Sequence, residues 1–242
     1  MAIPESVLAK LDHAKHHLDA LNAETAGYID SNPGEFVSDP NGDPNRPTFI
    51  YREKFPPPPR ISLIAGDSLQ ALRSVFDYMI VEMVIAAGNE PTKQNAFPVC
   101  AVESSFQDAK RGRRLHGITA EAETFVVSLQ PYTAINPSEH WLYILDHLAN
   151  INKHRRLLIA TLGGFSALSL FEQLAKGAGW TGVAHNANPG NVFTAEQVNM
   201  QGDVIPFVAF NEGAVKDMEV GLVTQTYIGL VTQVVEQFDR FF

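Results

Sequence analysis

Two sets of polar side chains have the types and spacing that chemistry requires. The first is Asp67, Gln70, Arg73 and Asp77. On a helix Gln70, Arg73 and Asp77 fall within one narrow sector, and Arg73 and Asp77 form an i,i+4 pair. Gly66 lies on the same side and lets another element come close. An arginine so placed can stabilise charge on a phosphate, or it can be ion-paired to fix the register of a bundle. The ion pair is the favoured role, because a buried guanidinium left alone is costly.

The second set is Asp146, Asn150 and His154 at i, i+4 and i+8, continued by Lys153, Arg155 and Arg156. His154 has the chemistry of a general acid or base, although Asp146 is too distant to orient it directly. Lys153 and Arg155 suit phosphate or carboxylate. A catalytic site would thus consist of Arg73, Asp77 and His154, with Asn150, Lys153, Arg155 and Asp67 binding substrate. The plainer expectation is a helix C-terminus that attracts cations through its dipole, with His154 capping a carbonyl.

Other signals are weaker. His13 and His17 have a spacing that can chelate one ion, but with His16 they sit on or beside the exposed face of an amphipathic pattern, and no third ligand is arranged with them. A solvated face is expected and no metal site. Arg111 and His116 match an R-x4-H spacing found in one ribonuclease class, in a basic run with Lys110, Arg113 and Arg114 that reads as a surface loop. There is no P-loop, dinucleotide fingerprint, nucleophile elbow or Cys/His zinc spacing, so no cofactor is expected. The single cysteine, Cys100, has no disulfide partner in the chain and reads as packing.

The elements that must position these residues are mostly helical. Val7, Leu11, Ala14, Leu18, Leu21 and Tyr28 mark an amphipathic helix over residues 5–29, stopped by Asn32-Pro33-Gly34. A hairpin follows, with a turn at residues 39–46 between Phe36-Val37 and the alternating Phe49, Tyr51 and Phe55. The four prolines at 56–59 form a stiff connector. Residues 61–87 form a long helix, apolar nearly all round, ended by Gly88-Asn89. Residues 90–118 read as loop. Thr119 caps a short helix through Leu129, and Asn136-Pro137-Ser138-Glu139 starts a helix that runs to about Arg156.

The pattern then changes. Residues 157–162, 165–171, 192–198 and 204–210 read as strands between Gly- and Asn-rich turns, although 165–175 could also be helical. Val220 to Phe241 is a closing helix. The expected fold class is therefore α+β: one domain over residues 1–242, built as a bundle of about four main helices. An N-terminal hairpin and a β-rich insert over residues 157–210 complete it.

The totals limit the function classes. The chain has 242 residues, 45% of them hydrophobic, with 27 acidic against 18 basic side chains and a net charge of -9. That balance opposes diffuse binding to DNA or to an anionic membrane. The apolar runs are far shorter than the ~18 residues of a membrane span, and Met1 to Glu5 lacks the features of a secretory signal, so a cytoplasmic location is expected.

Two stretches carry a resemblance. Residues 66–78, Gly-Asp-Ser-Leu-Gln-Ala-Leu-Arg-Ser-Val-Phe-Asp-Tyr, resemble a G-D-x-L-H-N-L-R-S-A-L-D-H/Y helix. Residues 150–155, Asn-Ile-Asn-Lys-His-Arg, resemble D/N-N-I-D-K-H-R. With Phe97-Pro98 and Leu129-Gln130-Pro131-Tyr132 they are similar to a widespread bacterial family of uncharacterised proteins, over roughly residues 5–160. The first motif is also similar to the HEPN class of helical domains, which includes metal-independent ribonucleases and inert partner-binding modules. Here Tyr78 stands where that class has its histidine, while Gln70 stands where the bacterial family often has a histidine and Asn152 replaces that family's usual aspartate. Tyrosine is a poor proton shuttle near neutral pH.

Two functions are open, the first read from the apolar circumference of residues 61–87 and the acidic net charge, the second from the Arg73/Asp77 and His154 clusters together with the HEPN resemblance. One is a non-enzymatic interaction module, forming a homodimer through its apolar helices. The other is an RNA- or nucleotide-binding protein, cleaving RNA without metal through Arg73 and His154. The first is the expectation, since Tyr78 and Gln70 subtract from catalysis.

Overall fold

A computed structural model describes residues 3–41, 45, 48–154, 160–166, 192–194, 204–211, 213–216 and 218–242, with the backbone alone at 51, 152–154, 160–166, 192–194, 204–206 and 213. In chain order the helices are α1 (Glu5–Asp30), α2 (Pro59–Ala86), α3 (Glu103–Arg111), α4 (Ala120–Ser128), α5 (Trp141–His154) and α6 (Val220–Phe238). The strands are β1 (Gly34–Ser38), β2 (Thr48–Glu53), β3 (Ala160–Ser166), β4 (Val192–Thr194) and β5 (Val204–Phe210). The α+β class holds, with helix dominating. Among the described residues no helix is long and apolar enough to cross a membrane.

The chain divides into two compact units, and the residues of α1, α2 and α6 are shared between them. The first unit takes Met1–Leu18, Gly66–Leu157 and Thr224–Phe242. Its core is built from Leu69, Leu72, Phe76, Met79, Ile80 and Met83 of α2, Leu142, Leu145 and Leu148 of α5, and Val231, Val235 and Phe238 of α6, all buried. The ends of α2 follow local rules. Gly88 takes φ 77°, its N–H donates to Ile85 O at 2.9 Å, and Asn89 N donates to Val84 O at 3.0 Å. This is the Schellman arrangement expected of Gly88-Asn89, which satisfies carbonyls the helix leaves open. Asn32, at φ 55°, follows the end of α1 in the same left-handed region.

The second unit takes Asp19–Ala65 and Leu158–Val223 and holds all the described strands. The expected hairpin is present: β1 and β2 pair antiparallel in register Gly34 to Glu53 through Ser38 to Phe49. β4 adds to the other edge of β2, completing a three-stranded antiparallel sheet. Tyr28 donates from Oη to Phe55 O at 2.8 Å and ties α1 to the chain leaving β2.

Three local expectations require correction. Strands are expected over 157–162 and 165–171 with a glycine turn between them; residues 157–159 and 167–171 lie outside the described residues, but no turn falls at Gly163-Gly164. Ala160–Ser166 is one strand, paired antiparallel with β5, with Gly163 opposite Phe207 and Gly164 opposite Pro206. In a two-stranded sheet both strands are edges, where proline and glycine are tolerated. The strand expected over 192–198 is seen at 192–194, and residues 195–198 lie outside the described residues. Residues 90–118 are not all loop, because α3 occupies 103–111. Finally, Asn136-Pro137-Ser138-Glu139 forms a separate 3-10 turn over Pro137–Glu139, and Asn136 makes no capping bond. Here α5 begins after His140, whose Nδ1 accepts from Leu142 N at 3.3 Å and whose carbonyl accepts from Ile144 N. Thr119 behaves as expected, its hydroxyl accepting from Ala122 N at 3.1 Å.

Candidate functional site

The two polar sets meet in the first unit. Arg73 of α2 donates from Nε to Asp146 Oδ1 of α5 at 2.6 Å and from Nη1 to Asp77 Oδ1 at 3.0 Å. Its Nη2 donates to the carbonyl oxygen of Phe97 at 2.9 Å. Asp77 Oδ1 also accepts from Phe97 N at 2.9 Å, and Asp146 Oδ2 accepts from Asn150 Nδ2 at 2.9 Å. One guanidinium therefore binds two carboxylates and a backbone carbonyl on three segments of chain.

Charge and burial compete at this centre. Only 13% of the Arg73 side chain is exposed, against 41% for Asp77 and 26% for Asp146. Burial alone would lower the Arg73 pKa, but Asp77 and then Asp146 outweigh it and hold the group above its ordinary value. The arginine stays charged and sits between two anions, so the cluster as a whole is not cationic.

Residues 95–100 lie in no helix or strand, and the backbone groups of Phe97, Pro98 and Cys100 find side-chain partners instead. Asn95, buried, donates from Nδ2 to His116 O at 2.8 Å and accepts at Oδ1 from Thr92 N at 2.7 Å. Phe97 exchanges both backbone bonds with Asp77 and Arg73. Gln130, with no exposed surface, donates from Nε2 to Pro98 O at 2.9 Å and accepts at Oε1 from Cys100 N at 3.1 Å. Tyr132 N then donates to Cys100 O. The Phe97 ring lies 5.0 Å from that of Phe76, burying the apolar side of the same segment. Cys100 is itself buried, which pushes its thiol pKa up.

Of the residues singled out by sequence, Arg73, Asp77, Asp146 and Asn150 come together. Asp67 is exposed on α2, and its carboxylate acts on His17 of α1 rather than bonding to Arg73. Lys153 and His154 close α5, but their side chains lie outside the described residues, as does all of Arg155 and Arg156. His154 stands eight residues beyond Asp146, about 12 Å further along the helix. The basic run is partly neutralised nearby: Lys110 pairs with Glu123 and Arg111 with Asp108. Tyr78 is exposed, with Lys10 Nζ of α1 5.3 Å from its ring centre.

Sequence reasoning missed Gln130, Asn95 and the link from Arg73 to Asp146. Gln130 did carry a signal, as part of the Leu-Gln-Pro-Tyr landmark, but its partners lie 30 and 32 residues away. Compared with family models, with curated proteins and with solved structures, the chain matches none of them.

Proposed function

We propose that this protein is a non-enzymatic binding or interaction module, in which the polar clusters hold one packing of helices in place. The observation that carries this is the engagement of Arg73 by Asp146, Asp77 and Phe97 O. A phosphate-stabilising arginine must turn its donors toward substrate. Here three are spent inward, and the two adjacent carboxylates repel a phosphate. Tyr78 also lies five residues from Arg73, about 140° around the helix, so the two do not face one another. Tyr78 and Ile85, seven residues apart on α2 and both exposed, offer apolar surface for a partner, of which a second copy of the chain is the simplest.

The alternative is a HEPN-like RNA- or nucleotide-binding protein that cleaves RNA without metal. Incubating the full chain with structured and unstructured RNAs in chelator separates the two. Neither cleavage nor saturable binding is the expected result. Cleavage that disappears in a folded Arg73→Lys variant would overturn the module. Light scattering behind size exclusion then reads the assembly directly, with a dimer mass expected for self-association.

A further inference from the structure

His13 and His17 lie one turn apart on α1, with their Nε2 atoms 3.1 Å from each other. The ring centroids are 4.4 Å apart at an interplanar angle of 74°, so the rings close toward their Nε2 ends. Two imidazoles on one ion, each with a metal–nitrogen bond of about 2.0–2.1 Å, hold their nitrogens about 2.8–3.4 Å apart for octahedral to tetrahedral angles. The observed separation falls inside that interval. His16 is turned away: its Nδ1 donates to Asp12 O at 2.7 Å. The Asp67 carboxylate, whose field reaches His17, adds negative charge on the side of α2.

We propose that His13 and His17 form a bidentate site for a divalent transition-metal ion of the zinc, nickel and copper class. The two Nε2 atoms supply adjacent ligands, and water fills the remaining positions. No group of three or more His, Cys, Asp or Glu side chains among the described residues could hold a metal ion, which makes this an open two-ligand site rather than a closed structural one. Imidazole pairs select this class over magnesium or calcium, which demand oxygen ligands. In the metal-free protein the same contact is a hydrogen bond between one protonated and one bare Nε2. Metal takes the lone pairs of both Nε2 atoms, and the donating ring shifts its proton through solvent to its own Nδ1, so no net proton is lost from a neutral pair.

The test is calorimetric titration of Zn2+ into the full chain in a non-coordinating buffer, with His13→Ala, His17→Ala and His16→Ala beside it. One ion per chain is expected. Loss of an outer-shell partner already weakens metal binding about 10- to 100-fold, so each of His13→Ala and His17→Ala should lose at least tenfold. His16→Ala should bind as the parent does. Cu2+ bound to the parent should show two equivalent nitrogens by electron paramagnetic resonance. Absence of stoichiometric Zn2+ binding, or equal weakening by all three substitutions, would overturn the site. Circular dichroism of each variant shows that a lost affinity is not a lost fold.

Discussion

Arg73 and Asp146 stand 73 residues apart in the chain and 2.6 Å apart at Nε and Oδ1. That bond joins α2 to α5, and the same guanidinium holds Phe97 between them. Its removal should therefore be felt well beyond the ion pair.

Arg73→Ala leaves two partly buried carboxylates and the Phe97 carbonyl without their donor. Breaking a buried pair from one side costs about 3–5 kcal/mol. With Asp77 and Asp146 still partly in water, about 2–3 kcal/mol is the expected loss. Arg73→Lys keeps the charge but not the planar fork, and should lose less. Urea denaturation checks both, and a change within error for Arg73→Ala would show that the cluster holds nothing.

Gln130→Leu preserves bulk but strands the Cys100 N–H and the Pro98 carbonyl. Each unsatisfied buried group costs about 1–3 kcal/mol. Amide hydrogen exchange at Cys100 should accelerate more than exchange in α1, which has no bond to Gln130. Uniform acceleration throughout would mean that only global stability had changed.

His140 is pushed below the ordinary histidine range by burial, and its Nδ1 must be bare to accept from Leu142 N. A group with a lowered folded pKa contributes stability above its unfolded value near 6.5 and loses it as pH falls through the folded pKa. The parent should lose stability as pH falls below the unfolded value near 6.5 toward the lower folded pKa. His140→Asn, which can cap without titrating in this range, should flatten the slope. Paired denaturation curves at several pH values test this, and parallel slopes would exclude His140 as their source.

Gly88 and Gly117 both have positive φ, 77° and 95°. A Cβ at Gly88 meets nothing within 4 Å, whereas one at Gly117 comes to 3.0 Å from Val84 Cγ1. Gly88→Ala should cost the backbone penalty alone, about 1–2 kcal/mol. Gly117→Ala should cost more, because Val84 is buried in α2 and must shift. Equal losses would show that the Val84 contact relaxes freely.

The helices were legible because their signals are local. Leu11, Ala14 and Leu21 repeat on one face, Thr119 caps, and Gly88-Asn89 stops the chain, all within a few residues. The site was half legible. Helical spacing placed Arg73 beside Asp77 and Asp146 beside Asn150. Nothing in that spacing says that Asp146 faces Arg73, because the join depends on how α2 and α5 pack. The clamp on residues 95–100 was hidden for a related reason: a segment without periodicity gives no pattern, and its partners are scattered from Arg73 to Tyr132. Gly163 and Gly164 misled because glycine marks turns more often than the middle of an edge strand.

The dependence of residues 95–100 on distant side chains has a kinetic consequence. The side chains of Arg73, Asp77 and Gln130 lie 20 to 32 residues from the groups they bind. The segment cannot order until the surrounding helices are in place, since each bond must first close a loop. Its contacts should form after the rate-limiting barrier of folding. Weakening them should then speed the escape from the native state while leaving the refolding rate almost untouched.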